Sequence, residues 1–409
     1  MNPLKRYINP TFIALFVIII WDALKTYMAL SSPAIQAAFL LPVILLGILD
    51  NLNTRFWKTI FSPPAVFWLI WILYALINTF LIVGYYSSTE QSRFVFVSSI
   101  FVSFLLLLFI IVCKSDTEDL INVLIFAFFC RLLLSFIFDT LEPSGVEYIK
   151  RFGTEFNSNI IAIGALFLIS LIFLKYIIYE SFNAFDVCVS VISTLTIFLT
   201  ASRKTYLALI VLIIGVVYIT RSKYFIKNIL LGALVFIMLF FGITWTLDNT
   251  AVGKRLLQSY ENTIYAKDVE KMFDSRAGYF INGWKLFKER PINGIGLKNY
   301  PYYNQSTHNL HTEYMVQMTE CGLIGIFLFI LFYWYIIKWL LLIRKVIIPH
   351  KVIAETYLVF IVVMFSLFFG AWKYNIPIMW VMIALAVRFI KDTQEQLQNV
   401  KVVHVSVEG

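Results

Sequence analysis

The sequence predicts an all-α polytopic membrane protein with about twelve spanning helices and one large helical loop outside the membrane. Three observations carry that prediction. Hydrophobic residues make up 60% of the 409 positions and charged residues only 14%, against about 45–50% and about 25% in a soluble domain. The mean hydropathy of +0.82 comes from apolar runs that recur from end to end. One stretch, 248–322, is polar over far more chain than a turn needs. This composition excludes disorder, collagen, a disulfide scaffold and a soluble multidomain enzyme. The alternating pattern of lumen-facing strands is missing, so a membrane β-barrel is excluded too.

A spanning helix needs roughly 20 mostly apolar residues. On that rule helices fall at 11–30, 33–49, 64–84, 94–113, 120–138, 159–179, 184–200, 205–220, 228–247, 323–343, 352–371 and 374–390. The second, seventh, eighth and last are short and must lean on their neighbours. The first run follows Lys5 and Arg6, lacks a small-residue cleavage site and precedes further spans, so it is a retained helix rather than a removed signal. The chain therefore divides into helices 1–247, an outer loop 248–322, helices 323–390 and a polar tail 391–409, expected to be loosely ordered.

Orientation follows from Lys and Arg near the helix ends. With the first residues inside, the inner segments carry 13 of them and the short outer loops only 6, namely Arg93, Lys150, Arg151, Arg203, Lys204 and Lys373. Both termini are then cytoplasmic and the long loop lies outside. The net charge of +9 is a topology signal and implies no nucleic-acid partner. Four cysteines show no paired spacing for a disulfide or a zinc site.

Within the loop, "DSRAGYFINGWKLFKERP" has helical spacing from near Ser275 and stops at Pro291. The turn-rich "PINGIG" follows, and a second helix is expected from near Thr307 toward Gly322.

Cations on the outside oppose the insertion bias and need a reason. Arg203 sits in "LTASRKTYL" between two helices, beside Lys204. Arg151 sits in "YIKRFGTEFNSN", near the amides of Asn157 and Asn159. Arg276 opens the loop helix. For any one alone, a solvated or lipid-snorkelling arginine is the simpler reading. Three on one face suit a phosphate or pyrophosphate on a lipid carrier, because a guanidinium binds phosphate oxygens in pairs. Histidine is scarce: His308 and His311 lie in "QSTHNLHTEYM", while His350 and His404 lie on the inner side. No third ligand of metal spacing stands beyond Glu313. A histidine is a natural general base for a hydroxyl, although a capping role also fits either one.

Together, "TASRKTYL", "SRAGYFINGWKLFKERPINGIGLKNY" and "HNLHTEYMVQMTECGLIGIF" resemble the O-antigen ligase and Wzy-type polymerase superfamily of bacterial membrane glycosyltransferases. That pattern has an Arg between two helices, an Arg opening the loop helix, P-x-x-G-x-G, and a His eleven residues before a Gly that starts the next helix. Arg203, Arg276, the turn Pro291–Gly294–Gly296, and His311 with Gly322 match in order. Glu320 stands where the family often has an acid. Thr312 departs from the family's usual Asn after the His.

The resemblance implies a GT-C-like fold in the bacterial inner membrane, with an active site on the periplasmic side and no metal or nucleotide cofactor. It implies a glycan donor on undecaprenyl pyrophosphate. The acceptor is lipid A–core in ligases or another lipid-linked glycan in polymerases, and the "NLHTE" run is closer to ligase versions. Under it His311, Arg203 and Arg276 are catalytic. His311 would deprotonate the acceptor and the arginines would hold the pyrophosphate, so the linkage inverts. Arg151, Lys204, Asn157, Asn159, Glu313 and Glu320 complete a substrate-binding set in which either acid could orient the imidazole. A secondary transporter is the first rival, and would use deep ionisable residues, here Asp22, Lys25 and Arg131. A flippase has no need of a large outer loop with a histidine, and a non-catalytic scaffold has no need of the outer arginines.

Overall fold

The computed structural model describes residues 9–28, 33–52, 54–86, 90–138, 141–143, 150–152, 158–181, 183–200, 202–220, 276–304, 310, 312–369 and 376–407. These residues are helical apart from one small antiparallel ribbon and the connections. The sequence-predicted helix 228–247 lies outside the described residues.

Helices α1 (Pro10–Tyr27), α2 (Pro33–Asn51) and the short α3 (Thr54–Ile60) lead to α4 (Pro63–Ile77), which closes on a π-turn over Asn78–Ile82. Ser62 precedes two prolines at the first turn of α4, where a missing N–H costs nothing. Then come α5 (Glu90–Val112), α6 (Thr117–Phe138), a ribbon of β1 (Leu141–Pro143) and β2 (Lys150–Phe152), α7 (Ser158–Tyr179), α8 (Ala184–Thr200) and α9 (Arg203–Thr220). The loop helix is α10 (Arg276–Glu289), followed by one turn, α11 (Tyr300–Tyr303). A turn α12 (Glu313–Met315) continues through a π-turn (Val316–Glu320) into α13 (Cys321–Val346). Helices α14 (Lys351–Phe368) and α15 (Val381–Val407) close the bundle.

Among the described residues five helices are long and apolar enough to cross a membrane, and five shorter apolar helices accompany them. The shorter set includes α8, α9 and the apolar part of α2, three that the sequence marks as short. This is a membrane protein.

Two features depart from the sequence reading. The tail expected to be loosely ordered continues α15 as helix to Val407. No Gly or Pro interrupts it, and Gln, Glu, Leu and Lys are good helix formers, so nothing stops the helix. The second loop helix begins at Glu313, capped by Thr312, rather than near Thr307, which lies outside the described residues.

Successive helices from α4 to α9 run alternately up and down. The ends of α4, α6 and α8 and the starts of α5, α7 and α9 thus share one end of the bundle. The charge bias of the sequence predicts that this end faces outside, and it is called the outer end below. Helix α14 lies against α9, and the contact needs a glycine: a Cβ on Gly215 would stand 2.2 Å from Val359. At the bundle centre Trp68, Trp71, Trp380 and Phe332 are fully buried, with Trp68 stacked 4.4 Å from Trp71. Arg131, the deep arginine a transporter would use, is buried and donates to the Ile19 carbonyl at 2.7 Å. The side chains of Asp22 and Lys25 are not among those described.

Candidate active site

The "PINGIG" segment is the joint between the outer loop and the bundle. Its backbone pairs with the chain entering α13. Ile295 and Gly296 donate to the carbonyls of Thr319 and Glu320, both at 2.9 Å, and Leu323 donates to Pro291 at 2.8 Å. The approach is too close for side chains. At Gly294 (φ +69°) a Cβ would lie 2.6 Å from the Glu320 backbone, and at Gly322 (φ +66°) 2.3 Å from the Ile292 carbonyl. These glycines of the two motifs meet each other here.

Helix α4 supplies the seat. Asn78 Nδ2 donates to the Asn293 carbonyl at 2.6 Å, Thr79 Oγ1 accepts from Leu297 N at 2.9 Å, and the Tyr74 hydroxyl donates to the Cys321 carbonyl at 2.7 Å. Asn299 ties the loop to the end of α4, donating to the Gly84 carbonyl at 2.7 Å and accepting from Tyr86 N at 3.1 Å. The sequence reading assigned none of these residues. Their signal was the polar "NT" inside the apolar run "WLIWILYALINTFLIV", because a buried polar group in a spanning helix needs a partner.

Helix α10 docks on the Val316–Glu320 π-turn. Thr319 Oγ1 donates to the Gly283 carbonyl at 2.9 Å, and a Cβ at Gly283 would come within 2.7 Å of Met315. The first turn of α10 reaches α11, where the Tyr300 hydroxyl donates to the Tyr279 carbonyl at 3.4 Å. Arg276, the first residue of α10, thus stands about one turn from the contact with α11. Helix α12 meets the outer end of α14, where the Tyr314 hydroxyl donates to the Phe365 carbonyl at 3.0 Å.

Arg203 is the first residue of α9. Ser202 Oγ donates to Asn159 Oδ1 at 2.9 Å, and Ser202 also contacts the Thr205 hydroxyl at 2.9 Å. Asn159 therefore fastens the starts of α7 and α9 together. Lys204 follows, half-buried. Arg151 stands on β2 in register with Glu142, and β2 packs on α8. The backbone thus brings Arg151, Asn159, Arg203 and Lys204 to the outer end. The side chains of Arg151, Arg203 and Arg276 are not among those described, and Asn157, His308 and His311 lie outside the described residues.

The two acids are buried rather than solvated. Glu313 is fully buried, and its Oε1 accepts from Gln317 Nε2 at 2.9 Å, while Gln317 Oε1 accepts from the Trp71 indole at 2.9 Å. The turn that follows residue 311 is thereby tied to α4. Thr312 caps that turn, accepting from Met315 N at 3.1 Å. Glu320 is also buried and accepts backbone N–H bonds from Lys298 and Tyr300. It holds the turn at Lys298, whose φ is +64°. Burial lowers the pKa of the Lys298 ammonium, and the Glu320 charge opposes that. Beside it, burial raises the Tyr303 phenol while Arg290, 5.2 Å above its ring, works the other way. Among the described residues no group of three His, Cys, Asp or Glu is placed to hold a metal ion.

Chemically, this is a pair of arginine-headed helix starts, at α9 and α10, and a joint that fixes the chain before and after the segment carrying positions 308 and 311. Comparison with known proteins agrees in place: residues 188–330 match the O-antigen ligase family model, Wzy_C. The matched range takes in α9, α10, the joint and the first turns of α13, and the chain carries that family's domain there. No curated protein matches the chain.

Proposed function

We propose that the protein is a metal-independent, inverting glycosyltransferase that moves a glycan from undecaprenyl pyrophosphate to an acceptor hydroxyl at the periplasmic face of the bacterial inner membrane. The acceptor is lipid A–core, which makes the protein an O-antigen ligase of GT-C-like architecture. The domain at 188–330 supports this class of activity.

The observation that carries the reading is the position of two arginines. Arg203 and Arg276 each open a helix. The first turn of a helix already presents unpaired N–H groups and partial positive charge. A cation there is unfavourable unless an anion joins it, and the two together form an anion site. A pyrophosphate meets that need. As the sugar–phosphate bond breaks, negative charge grows on the leaving pyrophosphate, and fixed guanidinium groups offset it. His311 takes the proton from the acceptor hydroxyl, whose oxygen attacks the anomeric carbon from the face opposite the pyrophosphate. Arg151 and Lys204 extend the cationic patch. Glu313, whose carboxylate accepts from Gln317, follows His311 by two residues and is the acid we assign to orient it, because Glu320 is engaged with the Lys298 and Tyr300 amides.

The test uses purified protein, a lipid-linked glycan donor and excess chelator, with lipid A–core in one arm and a second lipid-linked glycan in the other. Glycosylated lipid A–core with inverted linkage is expected. Extension of the lipid-linked glycan alone would make the protein a polymerase, and transfer that stops until a divalent metal is restored would overturn the arginine mechanism.

A further inference from the structure

The run "NYPYYN" places three tyrosines in the single turn α11, and the fold treats them differently. Tyr300 is fully buried and holds the turn down through its bond to the Tyr279 carbonyl. Tyr302 is 58% exposed and stacks on Tyr86, itself 43% exposed, with ring centroids 4.4 Å apart and planes 11° from parallel. Tyr303 stands at right angles to both, 5.4 Å from Tyr302 and 5.9 Å from Tyr86. The exposed Arg290, first residue past α10, lies over the Tyr303 ring at 5.2 Å. Three separate pieces of chain thus build a corner, with an aromatic floor, an aromatic wall and a cation on the wall.

We infer that this corner is a carbohydrate subsite, in which one pyranose ring of a glycan substrate stacks on the open face of Tyr302 and hydrogen-bonds the phenols and Arg290. This rests on the glycosyltransferase reading above and names where the glycan, as opposed to the pyrophosphate, is held.

Three features select a sugar. The first is the chemistry of the lining. A pyranose has a face of polarised C–H bonds, which the negative face of an aromatic ring attracts, and a rim of hydroxyls. Stacking on Tyr86 covers one face of Tyr302, and the exposure of that residue leaves the other open. Each phenol can donate and accept, and a ring contact uses none of the five guanidinium N–H donors. A lipid chain offers the phenols and the guanidinium nothing, and a bare phosphate offers the ring faces nothing.

The second feature is preorganisation. One buried residue, Asn299, fixes both halves of the stack. Its Oδ1 accepts from Tyr86 N at 3.1 Å, and its carbonyl accepts from Tyr302 N at 3.0 Å and Tyr303 N at 3.2 Å. Rings already held in place lose little freedom when a ligand arrives. The third feature is position. The segment carrying positions 308 and 311 leaves the corner after Asn304, so a sugar held here lies beside the chain that is assigned to deprotonate the acceptor.

The experiment uses purified full-length protein and two water-soluble probes. One is the glycan released from the lipid-linked donor by mild acid, and the other is the core oligosaccharide released from lipid A–core in the same way. Inorganic pyrophosphate is the sugar-free control. Saturation-transfer NMR titrations read binding to wild type, Tyr302→Ala, Tyr302→Leu and Tyr302→Trp, and melting temperatures check that these exposed-site variants fold. Wild type should bind one of the oligosaccharides, and which one it binds assigns the subsite to donor or acceptor. Tyr302→Ala and Tyr302→Leu should weaken that binding roughly three- to tenfold, the worth of one aromatic stacking contact. Tyr302→Trp, which keeps a ring face and a donor, should bind nearly as wild type does, and pyrophosphate binding should not change in any variant. In transfer assays Tyr302→Ala should raise KM for the matching substrate and leave kcat in place. The subsite is overturned if neither oligosaccharide binds wild type, if Tyr302→Ala binds as well as wild type, or if pyrophosphate binding falls together with sugar binding. Equal binding by Tyr302→Leu and Tyr302→Trp would also overturn it and make the rings an apolar anchor at the membrane interface. Glycan transfer by a wild type that binds neither oligosaccharide removes the subsite and keeps the glycosyltransferase reading. Sugar binding lost in Tyr302→Ala, in a wild type that transfers no glycan to either acceptor, does the reverse.

Discussion

At the inner end of the bundle the guanidinium of Arg388 donates to the carbonyls of Ile110, Cys113 and Ser115 at 3.0, 2.9 and 2.7 Å, where α5 ends. Lys175 and Asp186 form a buried pair at 3.0 Å, and Arg344 meets Glu355 at 2.8 Å. At the outer end no cation is among the joints named above: these are the amides of Asn78, Asn299 and Asn159, the hydroxyls of Thr79, Tyr74, Thr319 and Tyr314, and the carboxylates of Glu313 and Glu320. Two arginines of the outer end, Arg203 and Arg276, open α9 and α10 instead. A cation at the carbonyl end of a helix stabilises it, and a cation at the amide end does not. Inner cations are thus explained by the fold they hold together. On the proposed function, the positions of Arg203 and Arg276 are explained by the pyrophosphate they would bind.

The sharpest way to break that comparison is to remove one arginine from each end. Arg203→Ala and Arg276→Ala should abolish transfer and leave thermal unfolding of the purified protein nearly unchanged. Their Lys variants should also be severely impaired, because a point charge cannot reproduce a forked contact to phosphate. Arg388→Ala should do the reverse. It loses three charge-assisted bonds to buried carbonyls, on the order of 3 kcal/mol, so yield and melting temperature should fall while the surviving folded fraction keeps its turnover. An Arg203→Lys enzyme with wild-type transfer would erase the distinction between the ends.

A second contrast lies within the outer end. His311→Ala should lose transfer by roughly 10²–10⁴-fold, as for a missing general base, yet still bind donor, because the arginines remain. His308→Ala should keep most of its activity. Donor binding and turnover measured separately for both variants decide the matter. A dead His308→Ala beside an active His311→Ala would shift the assigned base by three residues.

Much of the bundle was legible in the sequence because it needs only local information. Apolar runs bounded by charge or turn residues placed α6, α7 and α8 to within a few residues, and Pro291 marked where α10 stops. The two glycine motifs were readable as turns, but their meeting was not. That contact joins Gly294 to the Glu320 backbone and Gly322 to the Ile292 carbonyl, and no local pattern reports it. The seat on α4 was hidden for the same reason: Asn78 and Thr79 look like stray polar residues until the loop that uses them arrives from more than 200 residues away. The acids were ambiguous because a Glu in a polar loop reads as solvated, whereas Glu313 and Glu320 are buried behind bonds to Gln317 and to the Lys298 and Tyr300 amides.

That seat gives a third test, of intermediate size. Asn78→Leu removes the shorter of two bonds to the half-buried Asn293 carbonyl and leaves it only the Tyr74 hydroxyl at 3.4 Å, at a cost of about 1 kcal/mol. The joint should loosen relative to the bundle, so kcat/KM should fall by about tenfold with the loss mainly in kcat, because Arg203 on α9 would still bind donor. If Asn78→Leu changes neither kcat nor thermal stability, the loop does not depend on α4 for its position. A fall in donor affinity alone would instead put Asn78 at the substrate.

The smallest expected effect is at Thr312, where the family pattern has Asn and this chain does not. The two residues share one capability here, since each can cap a helix start through a side-chain oxygen. Thr312 has extended backbone angles and accepts from Met315 N at 3.1 Å. Asn caps at least as well as Thr, and Ala caps poorly, with a typical loss of about 1 kcal/mol. Thr312→Asn should therefore be close to neutral in both turnover and melting temperature, while Thr312→Ala should loosen α12 and reduce turnover a few-fold. The substitution also sharpens the contrast between the kinds of helix start at the outer end. At α12 a neutral oxygen satisfies the free amides, so nothing there calls for an anion; at α9 and α10 the first residue is an arginine. If Thr312→Asn were as damaged as His311→Ala, the side chain at 312 would be touching substrate rather than capping, and α12 would have to be counted with α9 and α10 as part of the binding surface.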